Sequence, residues 1–179
     1  MMKTPRALSP INKIRDILEE MGDDDVDDGP TGVARKRLED QSQGRRYGNI
    51  IGSLSLEGLQ VVRVQKGSIL CNLVVPEHLA DHRSGNWHCG ALSTLIDHVG
   101  VIANVSLIGN DGYTTTVDLS VSFLSTVKIG EEVEIEAKVL DHRGKLTSTI
   151  VEVRKKETAE MVALGKQWVS VVKAERSKL

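Results

Sequence analysis

The sequence predicts an α+β fold in which an antiparallel sheet of about six strands wraps around one long central helix. Two β-rich runs, at 58–65 and 68–75, come before the helix, and four more follow it. Between them, the stretch from Gly90 to about Leu107 repeats apolar residues at three- and four-residue steps, which indicates an amphipathic helix. A single helix facing so many strands favours one two-layer domain with the helix covered by the sheet.

The β-rich runs have the composition and the turns of antiparallel strands. Lys66-Gly67 predicts a hairpin turn between the first two runs. Valines at 133 and 139, with Ile135 and Ala137 between them, alternate so that one face of their strand is buried. The four later runs are rich in Val, Ile and Thr and span 113–124, 131–140, 145–154 and 161–172.

The first 47 residues differ in composition from the rest of the chain. Ser9 and Pro10 predict the start of a short amphipathic helix that ends at Gly22. The acidic run "DDDVDDGPTG" is interpreted as a solvated linker, because it lacks the spaced ligands and late glutamate of a calcium loop. The charged segment 34–46 either docks on the domain or stays loose. We therefore assign 1–47 to a helix and linker, 48–172 to the main domain and 173–179 to a tail.

Composition excludes several function classes. The 179 residues carry a net charge of -2, so nothing global indicates nucleic acid or an anionic membrane as a partner. The longest apolar stretches are expected to be far shorter than the roughly 20 residues of a membrane span. Cys71 and Cys89 are the only cysteines and form no CxxC pair, so neither a zinc site nor a disulfide framework is expected. The chain is predicted to be soluble and intracellular, without a metal.

The long helix carries a carboxylate in an apolar setting. Asp97 lies seven residues after Gly90, nearly two turns, and so shares a face with Gly90, Ser93 and Thr94. A single helical aspartate more often faces solvent or bonds nearby backbone, but the apolar flanks and the polar stripe favour a function. The apolar stripe that predicts the buried face comprises Leu92, Leu95, Ile96, Val99, Ile102 and Ala103.

This arrangement suits attack on a carbonyl. A helix N-terminus offers free amides and a partial positive charge, which stabilise a carbonyl oxygen that becomes negative. Asp97 would act as general base for a water or as a nucleophile. Seven residues place Asp97 about 10 Å along the axis from Gly90, beyond hydrogen-bond reach of a carbonyl held there. The simplest solution is a dimer in which Asp97 of one subunit serves the helix start of the other.

His88 and Cys89 at the helix start each have two interpretations. Neighbours in sequence usually point apart, so Cys89 is interpreted as contributing its backbone N–H rather than a nucleophilic thiol. His88 is predicted to bond the local backbone and fix the loop rather than to take protons in the reaction.

The stretch "HCGALSTLIDHVG" resembles the signature of the PaaI-like branch of the hotdog-fold thioesterases, whose helix opens His-Gly-Gly and carries an aspartate at this spacing. "TTTVDLSVSFL" and "IGEEVEIEAKVL" are similar to the two strands that follow in that family. The resemblance covers about 48–172 and points to the acyl-CoA thioesterase 13-like proteins.

The resemblance implies a hotdog fold, assembly into homodimers or homotetramers, and hydrolysis of an acyl-CoA thioester without cofactor or metal. The family's aspartate corresponds to Asp97, its water-orienting serine to Thr116, and its carbonyl-polarising amide to Cys89, where the family has glycine. A backbone N–H survives that change. The family's loop asparagine corresponds to Asp81 or Asn86, and a carboxylate can donate to a carbonyl only when it is protonated.

Two other functions stay open. A hotdog enoyl-CoA hydratase would need an aspartate and a histidine together before the helix, and Asp81 and His88 are the candidates. A non-catalytic acyl-CoA binding module is the second, because Cys89 and Asp81 both depart from the family pattern. The phosphates of CoA need cations, for which Arg143 and Lys145 in "HRGK" are candidates, although such a hairpin is more often only solvated.

The last three residues, Ser177-Lys178-Leu179, match the peroxisomal import address. They predict a peroxisomal location and the import receptor as a partner.

Overall fold

The computed structural model describes residues 29–44, 50–109 and 113–172. The helix predicted to end at Gly22, most of the acidic run and the terminal Ser-Lys-Leu lie outside these residues. The peroxisomal location and the domain boundaries therefore stay predictions.

Six antiparallel strands form one sheet in the order β1-β2-β4-β5-β6-β3, which confirms the predicted α+β fold. A tight turn with Gly67 at φ 74° joins the first two strands, as the sequence predicts. Strand β3 lies at one edge and, among the described residues, pairs only with β6. The strands are β1 (Gln60–Gln65), β2 (Ser68–Val74), β3 (Tyr113–Phe123), β4 (Glu132–Arg143), β5 (Leu146–Lys155) and β6 (Met161–Val172).

Two helices precede the sheet and one crosses it. Helix α1 spans Pro30–Ser42 and α2 spans Ile50–Leu56. Helix α1 packs along the long helix and against β1, with Ala34 and Leu38 fully buried. The segment 34–46, whose placement the sequence left open, thus docks on the domain over its described part.

The long helix α3 spans Cys89–Ile108 and packs against five of the six strands. By length and composition it is long enough to cross a membrane, with a mean hydropathy of 1.6, so the sequence-based statement about apolar stretches was wrong. In this fold 56% of that apolar window is buried, because the sheet covers it. Every residue of the predicted apolar stripe is buried: Leu92, Leu95, Ile96, Val99, Ile102 and Ala103.

Two glycines let α3 and β6 approach closely. A Cβ at Gly165 on β6 would collide with the Ile96 side chain, and a Cβ at Gly100 on α3 would collide with the Gln167 side chain. The helix therefore lies against β6 at the level of Asp97, which positions the site described next.

Candidate active site

Asp97 is held by two side chains from the sheet. Thr116 Oγ1 donates a hydrogen bond to Asp97 Oδ1 at 2.7 Å, and Gln167 Nε2 donates to the same oxygen at 2.5 Å. Gln167 Nε2 also lies 3.3 Å from the Asp97 backbone oxygen and 3.0 Å from Thr116 Oγ1. In the described part of the chain, Asp97 Oδ2 accepts no hydrogen bond, so this oxygen is available to a water.

Three elements meet at this cluster. Helix α3 carries Asp97, the edge strand β3 carries Thr116, and β6 carries Gln167. The pairing of β3 with β6 shifts register between Thr116 and Asp118. An irregularity of this kind changes the direction in which the neighbouring side chains point. The cluster also fixes proton positions: the Gln167 amide can only donate through Nε2, so the Thr116 hydroxyl accepts from Gln167 and donates to Asp97.

Sequence reasoning missed Gln167. It is 1% exposed and occupies an inward position of β6, between the buried Gly165 and Val169. The signal was available: a polar residue in the inward phase of an otherwise small and apolar strand needs a buried partner.

The start of α3 is capped by His88. Its Nδ1 accepts from the Gly90 N–H at 3.0 Å, and its backbone N–H donates to Leu79 O at 2.8 Å. The Ser93 and Thr94 hydroxyls turn back to the carbonyls of the first turn. Among the described residues the Cys89 amide has no hydrogen-bond partner, which leaves it free for an external acceptor.

A pocket of about 210 Å³ opens at the start of α3, with Cys89 among its lining residues. Cys89 and Leu92 of α3 form one wall, and Asp97 is not part of the lining. The remaining wall is mainly apolar and includes Trp87, Phe123, Val127 and Val162. The structure thus places the helix start and the Asp97 cluster at separate points along one helix.

The two cysteines differ in accessibility. Cys71 is buried on β2, and burial raises the pKa of its thiol to about 12, so it is inert as a nucleophile. Cys89 is exposed. Within 29–44, 50–109 and 113–172, no three His, Cys, Asp or Glu side chains gather to hold a metal ion.

Asp81 and Asn86, both in the loop before α3, have different contacts. Ser84 Oγ donates to Asp81 Oδ2 at 2.7 Å and holds the pKa of the Asp81 carboxyl below its usual value, assisted by the Arg83 backbone N–H. An ionised carboxylate has no proton to donate to a carbonyl. Asn86 is half-buried, and its backbone forms an isolated bridge with Lys128; its amide side chain, unlike an ionised carboxylate, has protons to donate, so both loop candidates stay predictions to be tested.

The basic hairpin lies at the tip of β4 and β5. The Arg143 side chain is 83% exposed and pairs with Asp141 at 2.7 Å. Lys145 is also exposed. His142, beside Arg143, lies three strands across from Thr116 in the same row of the sheet, so the hairpin projects from the end of the sheet that carries the Asp97 cluster.

A sheet of six antiparallel strands wrapped around one long helix is the hotdog arrangement that the sequence predicts. Residues 84–162 match the family model described as "Thioesterase superfamily". This match spans 79 of the 179 residues; it confirms the resemblance predicted from the sequence and supports the predicted enzyme class, a thioester hydrolase.

Three proteins are similar to this chain in sequence or in fold. The chain is similar to human acyl-coenzyme A thioesterase 13, with 27% identity over 135 residues that cover 74% of this chain and 89% of the human protein. Zebra fish thioesterase superfamily member 2 has a similar structure, with a TM-score of 0.68, 22% identity and coverage of 80% of this chain and 99% of that chain. A Streptococcus pneumoniae thioesterase protein solved with coenzyme A gives a TM-score of 0.60 at 19% identity, covering 65% of this chain and 90% of that one.

Proposed function

We propose that the protein is an acyl-CoA thioesterase, which hydrolyses an acyl-CoA to the free acid and CoA. The human relative is named for that substrate class, and the Streptococcus pneumoniae protein was solved with coenzyme A. The mainly apolar pocket beside the Cys89 amide suits an acyl or pantetheine chain.

In the proposed mechanism, the thioester carbonyl accepts a hydrogen bond from the Cys89 N–H at the positive end of α3. A water bound to Asp97 Oδ2 attacks the carbonyl carbon and gives its proton to Asp97. Thr116 and Gln167 hold Asp97 Oδ1, so the carboxylate keeps its orientation through the reaction. The tetrahedral intermediate then breaks its C–S bond, and the proton on Asp97 neutralises the departing sulfur.

The observation that carries this mechanism is the distance along α3 between the Cys89 amide and the Asp97 carboxylate. Cys89 and Asp97 are eight residues apart on one straight helix, roughly 12 Å at 1.5 Å per residue. A second subunit removes this separation if its helix start lies over the Asp97 cluster of the first.

Strand β3 offers the place for that second subunit. It carries Thr116, no strand of the described part of the chain lies beside its outer edge, and Val117 on it is 60% exposed. A long unpaired edge strand is a template for pairing with another chain. A partner docked along β3 would arrive beside Asp97, which supports a homodimer with two shared sites.

The hydratase alternative has less support. His88 Nδ1 is occupied by the Gly90 N–H, and the Asp81 carboxylate is occupied by Ser84. Neither is arranged to add water across a double bond.

The deciding experiment measures steady-state release of free CoA from short aliphatic, long aliphatic and aromatic acyl-CoAs. We expect turnover with at least one class, and the preferred class identifies the acyl group. Hydration of an enoyl-CoA without CoA release would support the hydratase instead. Tight binding without turnover would support a binding module.

A further inference from the structure

A group of unpaired polar atoms lies behind Gln167, on the side away from Asp97. Gln167, Thr149 and Asn104 are each at most 1% exposed. Among the described residues, Gln167 Oε1, Thr149 Oγ1 and both amide atoms of Asn104 lack a hydrogen-bond partner. Buried polar groups are nearly always paired, by ordered water where protein groups do not reach.

The three side chains belong to neighbouring positions on α3, β5 and β6. Thr149 on β5 is the direct cross-strand partner of Gln167 on β6, and both residues occupy buried inward positions. The Gln167 Oε1 atom lies against α3 at Gly100, where a Cβ would collide with it. Asn104 follows one turn later on the same helical face, and helical side chains lean back toward the N-terminus. Its amide therefore leans toward Gln167 Oε1.

We propose that one ordered water binds here, bridging Gln167 Oε1, Thr149 Oγ1 and the Asn104 amide, and that Thr149 and Asn104 position the Gln167 side chain. The three residues supply the two to four polar partners that a buried water needs. The water donates to Gln167 Oε1, while Thr149 and Asn104 hold the water.

The consequence concerns which end of the Gln167 amide faces Asp97. With Oε1 fixed by the water, Nε2 must face Asp97 and Thr116, as the structure shows. Without that anchor, the amide can rotate by half a turn and present an oxygen to the carboxylate. Thr149 would then influence the base although it does not contact Asp97. The kinetic part of this inference rests on the proposed thioesterase function, and the water and the amide orientation do not.

Thr149→Val and Thr149→Ser form the test pair, because valine keeps the shape and removes the hydroxyl whereas serine keeps the hydroxyl. We expect Thr149→Val to lower kcat about 3- to 10-fold, the value of one neutral hydrogen bond, with KM unchanged. Thr149→Ser should restore most of the loss. Thr147→Val, the same change two residues along the buried face of β5, is the control and should leave kcat close to wild type. Equal losses in Thr149→Val and Thr147→Val, or a change confined to KM, would overturn the positioning role.

Two further measurements test the bound water and the amide orientation without an enzymatic assay. A high-resolution crystal structure of the wild-type protein should show a water within hydrogen-bond distance of Gln167 Oε1, Thr149 Oγ1 and Asn104. NMR of the Gln167 side-chain amide should show slow hydrogen exchange that Thr149→Val accelerates. A dry site, or a Gln167 amide that exchanges fast in the wild type, would overturn the inference. A wild-type protein with the water and the protected amide but no thioesterase activity would contradict the proposed function alone.

Discussion

The start of α3 and its third turn carry the two halves of the proposed site, and they are built in different ways. At the helix start, the proposed hydrogen-bond donor is a backbone group, the Cys89 amide. The helix and its His88 cap fix the position of this amide. At Asp97 the reactive group is a side chain. Hydrogen bonds join it to Thr116 on β3 and Gln167 on β6. If the proposed mechanism holds, this difference predicts that the helix start tolerates a change of side chain, such as cysteine in place of the glycine implied by the resemblance, whereas the Asp97 cluster does not.

The largest effect should follow removal of the base. Asp97→Asn keeps the shape of the side chain but cannot accept a proton, so turnover should fall about 10²- to 10⁴-fold. Circular dichroism and the melting temperature should remain near wild type. A folded Asp97→Asn protein with normal CoA release would contradict the mechanism.

Removing the backbone donor should have the next largest effect. Cys89→Pro deletes the amide hydrogen at the first helical position, where proline is tolerated. His88 has φ -66° and ψ 127°, an extended conformation that a following proline allows. We expect kcat to fall about 10²- to 10³-fold, the cost of losing one oxyanion donor.

The matched control for that variant is Cys89→Ala, which removes the thiol and keeps the amide. Its kcat should stay close to wild type. If Cys89→Ala is as inactive as Cys89→Pro, the thiol and not the backbone carries the chemistry.

Thr116→Ala should have a smaller effect than either. It deletes one donor to a charged acceptor, worth about 1.5–3 kcal/mol, so kcat should fall about 10- to 100-fold with little change in KM. Thr115→Ala, at an exposed neighbouring position of β3, is the control and should be nearly silent. A loss that appears only in KM would show that Thr116 contacts substrate instead.

The smallest expected effect distinguishes Asn86 from Asp81 as the loop residue that contacts the carbonyl. Asn86→Ala removes an amide that could polarise the carbonyl and should lower kcat about 10-fold, the range of a single hydrogen bond. Asp81→Asn should change kcat little, because its carboxylate serves Ser84 within the loop. The reverse ranking would assign the carbonyl contact to Asp81.

The fold was predictable because its signals are local. Alternation in β4 and the apolar stripe of α3 each follow from neighbouring residues, and the structure confirms both. Gln167 was not found because its role depends on contacts across 70 residues of sequence with Asp97. The docking of α1 was left open for a related reason, since only Ala34 and Leu38 are fully buried apolar side chains in a charged segment.

The central claim is that each active site combines Asp97 of one subunit with the Cys89 amide of the other, and subunit mixing tests it directly. Asp97→Asn and Cys89→Pro chains should be exchanged in equal amounts, with heterodimers proven by a tag on one chain. Each heterodimer would contain one intact site, so the mixture should recover about a quarter of wild-type activity for a two-fold dimer. Heterodimers of wild type with the Asp97→Asn, Cys89→Pro double variant should be inactive, because neither site is then complete. Inactive heterodimers in the first mixture and half-active ones in the second would place the whole site within one chain.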